Sequence, residues 1–197
     1  YTWGSGSLGQ LGHGAFVKSG IRNAYEELSP KRLEAFEGKS IVKLEFGATH
    51  SAAIDDKGRV YTWGSNEYNK LGLGPGTGEF ESLPHLMEAF EGIEIVDISC
   101  GDYYTAAGAG GLGHAGGKDE PTPRLVRALV DQGVPIASVE CGELHTVALS
   151  KDGEIWAWGN GEYGRLGNGE TDTFEIPEPI EFFSDENVVA ISAGRDF

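Results

Sequence analysis

Several sets of glycines in this chain have the spacing G-x-G-x-x-G, among them Gly4, Gly6 and Gly9; Gly108, Gly110 and Gly113; and Gly159, Gly161 and Gly164. At the mouth of a helix that follows a buried strand, such a loop brings backbone N–H groups against a dinucleotide pyrophosphate, and an acid roughly 20 residues on holds the ribose. The first and third sets instead begin at the glycine of aromatic-x-Trp-Gly, in segments that read as β-turns with no helical periodicity after them. A nucleotide cofactor is therefore not expected. The phosphate-cradling pattern G-x-x-x-x-G-K-[ST] does not occur.

The other candidate groups are equally spare. His13, His50, His85, His114 and His145 lack zinc-ligand spacing and have no Cys pair beside them. His50 and His145 hold one recurring position, which predicts a structural hydrogen bond inside a repeat unit rather than catalysis. Cys100 and Cys141 each precede a glycine, where Phe46 and Ala193 stand in sister segments, and read as buried strand ends. No ordered motif supplies a Ser-His-Asp triad. No metal and no bond-making chemistry are expected.

The elements that position these residues are repeats. "EAFEG" at 34–38 returns at 88–92, followed by Ile41-Val42 and then Ile95-Val96, all at an offset of 54 residues. A second series reads "GATHS" at 47, "GDYYT" at 101, "GELHT" at 142 and "GRDF" at 194. A third reads "YTWGSGSLGQLGHG" at 1–14, "YTWGSNEYNKLGLG" at 61–74 and "WAWGNGEYGRLGNG" at 156–169. The recurring positions are Trp3, Gly4, Leu11 and Gly12; Gly47, His50, Gly58, Trp63, Gly64, Leu71 and Gly72; Gly101, Leu112 and Gly113; Gly142, His145, Gly153, Trp158, Gly159, Leu166 and Gly167; and Gly194. Core packing is the expected role of Trp3, Trp63 and Trp158.

Apolar runs at 147–149 and 155–158 flank Asp152-Gly153, and a matching pair flanks Lys57-Gly58, so each predicts a hairpin whose glycine takes the positive φ of a tight turn. "SIVKLEF", "EIVDISC", "IASVEC" and "NVVAISA" predict a further strand per unit, while "NAYEEL" has room for one helical turn. Small antiparallel sheets that cannot bury both faces alone are stable when stacked radially, so the chain is expected to be an all-β propeller. Its units run approximately 1–46, 47–100, 101–141, 142–193 and the start of another at 194–197.

"CGELHTVALSKDGEIWAWGNGEYGRLGNG" resembles the repeat of the regulator of chromosome condensation (RCC1) family, and the resemblance covers essentially the whole chain. It implies a ring of seven blades, of which about four are present here as a partial ring. The chain is thus expected to belong to a longer protein. The unit at 101–141 is short by about 13 residues between Ala107 and Gly108, where a D-G hairpin and a Trp-Gly strand stand in its neighbours, and reads as a stretch absent from the chain.

The resemblance also implies a function. The family's founding member is a guanine-nucleotide exchange factor for the small GTPase Ran, with acids in the G-x-x-H loops; by motif position Asp102, Glu143 and Asp196 are the exchange candidates here. Tyr104 and Phe197 stand where the family has His. The light-sensing relatives carry Trp after the loop glycine, where this chain has Ala48, Asp102, Glu143 and Arg195, so photoreception is not expected.

With 31 acids against 15 bases, the net charge of −16 disfavours nucleic acid and anionic membrane surfaces and favours basic proteins. No run approaches the roughly 20 apolar residues of a membrane span. The leading expectation is a protein–protein interaction platform that takes a small GTPase or a basic protein; nucleotide exchange is the alternative. An intracellular site, cytoplasm or nucleus, is expected.

Overall fold

Strand β4, His50–Asp55, and strand β5, Val60–Ser65, are buried at every position, so neither face of these two central strands meets water. The computed structural model describes residues 1–14, 26–93, 95–108, 121–123 and 126–197. Within them β1 (Thr2–Ser5) pairs with β2 (Glu26–Lys31). Then β3 (Ile41–Phe46), β4, β5 and β6 (Phe80–Leu86) form a four-stranded meander in chain order. Next, β7 (Asp97–Cys100) pairs with β8 (Thr105–Gly108). Finally β9 (Ile136–Cys141), β10 (His145–Ser150), β11 (Ile155–Gly159) and β12 (Phe174–Pro179) repeat the four-stranded meander. All pairing is antiparallel, and the sheets follow one another as blades of a partial ring.

The core lies between sheets rather than within one. Alternation along a strand sends successive side chains to opposite faces, so Ala52 and Ile54 join Met87, Phe90, Ile98 and Ala107 on one side of β4, while Ala53 joins Leu33, Phe36, Tyr61 and Trp63 on the other. The next boundary packs Ala106 and Leu129 against Val139, Ala148, Trp156 and Trp158. Each three-residue 3-10 turn of the "EAFEG" motif places one phenylalanine, Phe36 or Phe90, into such a boundary. Polar contacts join the inner strands too: Lys43 of β3 pairs with Asp97 of β7, whose Oδ2 accepts from the Val139 amide of β9 at 2.9 Å.

The hairpins form as their residues dictate. Asp55 Oδ1 accepts from the amides of Lys57 (3.0 Å) and Arg59 (3.1 Å), and Gly58 supplies φ 70°. Ser150 Oγ replaces that carboxylate in the second hairpin, accepting from Asp152 (3.2 Å) and Glu154 (3.0 Å), with Gly153 at φ 88°.

Two expectations are corrected. Glu26–Leu28 of "NAYEEL" belongs to strand β2, not to a helical turn, because it pairs with the Trp-Gly strand β1. Residues 187–193 are not a strand: every other strand of that kind pairs with the one after its glycine turn, and Gly194–Phe197 supply only the turn. A short helix α1, Arg127–Asp131, stands before β9 where a 3-10 turn stands before β7. The short unit shows β8 paired to β7 alone, with no Trp-Gly strand beside it among the described residues. Gly110, Leu112, Gly113 and His114 lie outside the described residues.

Candidate functional site

His50 of β4 pairs with Gly64 of β5, and His145 of β10 with Gly159 of β11, so the loop entering one strand and the loop leaving the next share one end of each sheet. There the glycine amide closes a tight turn onto the carbonyl three residues on: Gly47 to His50 (2.9 Å), Gly101 to Tyr104 (2.9 Å), Gly142 to His145 (2.8 Å) and Gly194 to Phe197 (2.6 Å). These glycines stack blade on blade. A Cβ on Gly47 would meet the Gly101 carbonyl at 2.8 Å, one on Gly101 the Gly142 carbonyl at 2.8 Å, and one on Gly142 the Gly194 carbonyl at 2.7 Å. Close approach of neighbouring turns is what reserves the position for glycine.

At two of the four turns the closing residue, His50 or Tyr104, ties two blades together, whereas neither ring nitrogen of the buried His145 has a hydrogen-bond partner among the described residues. His50 Nε2 bonds Thr105 Oγ1 at 2.8 Å, and Thr105 Oγ1 donates to the Lys70 carbonyl at 2.8 Å. Thr146 Oγ1 donates to the Tyr104 hydroxyl at 3.0 Å, and that hydroxyl donates to the His145 carbonyl, so tyrosine performs the histidine's task in the short unit. The histidine bond therefore reaches the next sheet instead of staying within its own. In the first two units a threonine beside the Trp anchors the Leu-Gly turn: Thr2 Oγ1 donates to Leu11 O (2.6 Å) and Thr62 Oγ1 to Leu71 O (2.7 Å). In the fourth, Ala157 occupies that place.

Burial holds His50 neutral, with its pKa lowered to about 3, and the neighbouring Lys70 charge acts in the same direction. His145 is lowered by burial and then by Arg165. The unfolded chain takes up these protons more readily than the folded one. Stability from this source is therefore complete above about pH 6.5 and is lost as pH falls, by up to about 1.4 kcal/mol per pH unit per histidine. Between about pH 6.5 and about pH 4, the urea midpoint of the parent chain is expected to fall more steeply than that of His50→Gln. Equal slopes would show that His50 is not the titrating group.

The three candidate acids sit in these turns but in different surroundings. Glu143 is clamped by Arg195, which donates from Nε to Oε2 at 2.7 Å and from Nη2 to Oε1 at 2.9 Å. That bond holds the Glu143 carboxyl below the usual range and the Arg195 guanidinium above its own. Asp196 faces Arg165 Nη2 at 3.2 Å. The Asp102 carboxylate makes no hydrogen bond or ion pair among the described residues; only its backbone carbonyl is used, accepting from Lys70 Nζ at 3.2 Å. The turns thus bring the acids to one rim, and among the described residues only the Asp102 carboxylate of the three makes no hydrogen bond or ion pair there.

Two features of the rim are not apparent from residue types alone. The residue before each Leu-Gly reaches across a blade boundary: Gln10 O accepts from Ser51 Oγ (2.8 Å) and Trp63 Nε1 (2.9 Å), Lys70 Nζ donates to Asp102 O (3.2 Å), and Arg165 meets Asp196. Tyr68 and Tyr163, at one repeat position, both have φ 61°, a backbone that a bulky side chain rarely adopts. The signal available in sequence was their shared "E-Y-x-[KR]-L-G" context. The three tryptophans also separate: Trp63 is 0% and Trp158 2% exposed, but Trp3 is 59% exposed. No described residues cover β1 on the side where residues 10–12 cover Trp63 in β5.

Four consecutive blade units in a partial ring, joined through glycine turns and bearing exposed loops at one end, define a fragment of a β-propeller. The family model described as "Regulator of chromosome condensation (RCC1) repeat" matches residues 1–54, 57–107, 108–149 and 152–197, and the chain belongs to this family. It is 35% identical over 213 residues to E3 ubiquitin-protein ligase HERC2 of Homo sapiens, covering 98% of this chain and 4% of HERC2. To Ultraviolet-B receptor UVR8 of Arabidopsis thaliana it is 33% identical over 207 residues, covering 98% of this chain and 44% of that protein. The crystal structure of Prp20p of Saccharomyces cerevisiae, reported with its binding properties to Gsp1p and histones, superposes with TM-score 0.73 at 19% identity over 98% of this chain and 49% of that one. The chain spans a small part of HERC2 and under half of the other two.

Proposed function

We propose that this chain forms part of an RCC1-type propeller that serves as a protein–protein interaction platform, and that the rim of glycine turns and Trp-Gly loops is its partner-facing surface. One observation carries the reading: side chains that could bind are presented, exposed, on a backbone that is fixed from blade to blade. Tyr68 and Tyr163 keep a strained φ of 61° at exposed positions, over turns locked by Gly101 and Gly194 amide bonds. Rigid presentation lowers the ordering cost of binding, and strain held at an exposed site is a mark of function. The net charge of −16 favours a basic partner.

A second reading, guanine-nucleotide exchange on a Ran-like small GTPase, is favoured by the Asp102 carboxylate, which makes no hydrogen bond or ion pair among the described residues, and by the likeness to Prp20p, whose structure is reported with its binding properties to Gsp1p. Exchange would need no cofactor. A propeller that binds the nucleotide-free GTPase more tightly than the loaded one weakens nucleotide affinity by linkage. The test is release of a fluorescent guanine nucleotide from loaded small GTPases on adding the propeller. Acceleration lost in Asp102→Ala supports exchange, whereas a flat trace with a saturable complex supports the platform alone. The absence of both would refute the two readings together.

A further inference from the structure

We propose that the Tyr68–Tyr103 ring pair, with Asp102 beside it, is a receiving point for an arginine side chain of a basic partner protein. This rests on the platform reading and specifies the partner chemistry at one place on the rim.

The chain itself shows what such a place holds. In the fourth unit the Arg165 guanidinium lies over the Tyr163 ring, 5.6 Å from its centroid, and its Nη2 is 3.2 Å from Asp196 Oδ1. Tyr68 corresponds to Tyr163, Lys70 to Arg165, and Tyr103 to Asp196. In the second unit the intramolecular cation is withdrawn. Lys70 turns inward to Thr49 Oγ1 and the Asp102 carbonyl, and among the described residues no cation covers either tyrosine. The rings meet edge to face at 5.2 Å, and Tyr68 is 47% and Tyr103 40% exposed. Replacing Asp196 by Tyr103 removes the acid from the matching position, but Asp102, one residue earlier, supplies a carboxylate that makes no hydrogen bond or ion pair among the described residues.

The chemistry selects a guanidinium over an ammonium. A planar, weakly hydrated cation can lie on an aromatic face and still present a fork of N–H donors to a carboxylate, which a point charge cannot do as well. The platform is also rigid. Asn66 Oδ1 accepts from the Leu71 amide at 3.3 Å, and Asn66 Nδ2 donates to Gly78 O at 3.1 Å, fixing the loop on both sides of Tyr68. The acidic surface draws basic segments towards it over distance.

The test is selection of short displayed peptides on the intact chain, with affinities then measured by fluorescence anisotropy. Selected peptides are expected to carry arginine, and replacing it by citrulline, which keeps the shape and removes the charge, should weaken binding about tenfold. Tyr68→Gly and Asp102→Asn should each do the same. Tyr68→Gly relieves the positive φ, so its thermal midpoint should not fall, which separates lost binding from lost structure. Peptides that bind equally well to Tyr68→Gly, or equally well with citrulline, overturn this site while leaving the platform reading standing. No saturable binding by any peptide overturns both.

Discussion

Trp63→Ala is expected to cost about 3–5 kcal/mol of stability, the range for truncating a fully buried aromatic. Trp63 is 0% exposed, packs edge to face on Phe36 with centroids 5.7 Å apart, and donates from Nε1 to Gln10 O at 2.9 Å. The substitution therefore opens a cavity at the boundary between the first two sheets and removes one of the two side-chain donors on Gln10 O. Neighbouring blades are stable largely through such boundaries, so the loss should fall on the pair of sheets rather than on one. Trp3→Ala is the internal control. The same motif residue is 59% exposed there, and the expected change is within about 0.5 kcal/mol. Denaturant midpoints followed by circular dichroism compare the two; similar losses would contradict the burial difference.

Gly142→Ala is expected to cost about 1–3 kcal/mol, by overpacking rather than by backbone conformation. Its added Cβ would lie 2.1 Å from His145 Cε1 and 2.7 Å from the Gly194 carbonyl. His145 is buried and the carbonyl belongs to the next turn's backbone, so neither is the free end of a flexible side chain. Relief requires moving one glycine turn against the next. That displacement would also disturb the Glu143 amide, which donates to Arg195 O at 3.0 Å, and the carboxylate clamp beside it. Urea unfolding of Gly142→Ala against the parent chain measures the cost, and an unchanged midpoint would show that the turns are not in contact.

Much of the fold was legible because its signals are local. The "DKG" and "KDG" segments specify hairpins through a carboxylate or hydroxyl cap and a positive-φ glycine, and both hairpins are present. Among the described residues, β8 pairs with β7 alone. Other features were hidden because they depend on neighbours. Residues 187–193 alternate like a strand, yet a strand exists only when another pairs with it. Trp3 has the motif of a core tryptophan, but burial belongs to the sheet that covers it.

The candidate site divides along the same line. Repeat position marked Asp102, Glu143 and Asp196 as rim acids, and the glycine turns set them there through bonds between residues three apart. Which acid is engaged depends on cations distant in sequence: Arg195 from the next turn holds Glu143, Arg165 from the Trp-Gly loop holds Asp196, and Lys70 bypasses the Asp102 carboxylate for its carbonyl. Those pairings arise only when sheets stack. Period, turn chemistry and strand alternation are properties of a segment and its near neighbours, so the amino-acid sequence by itself determined the all-β repeat, its hairpins and its glycine turns. Burial and charge pairing are properties of the boundary between segments some 30 to 55 residues apart, as in the 32-residue separation of Lys70 and Asp102 and the 52-residue separation of Glu143 and Arg195, so only the tertiary structure decided which tryptophans are covered and which candidate acid makes no side-chain hydrogen bond or ion pair among the described residues.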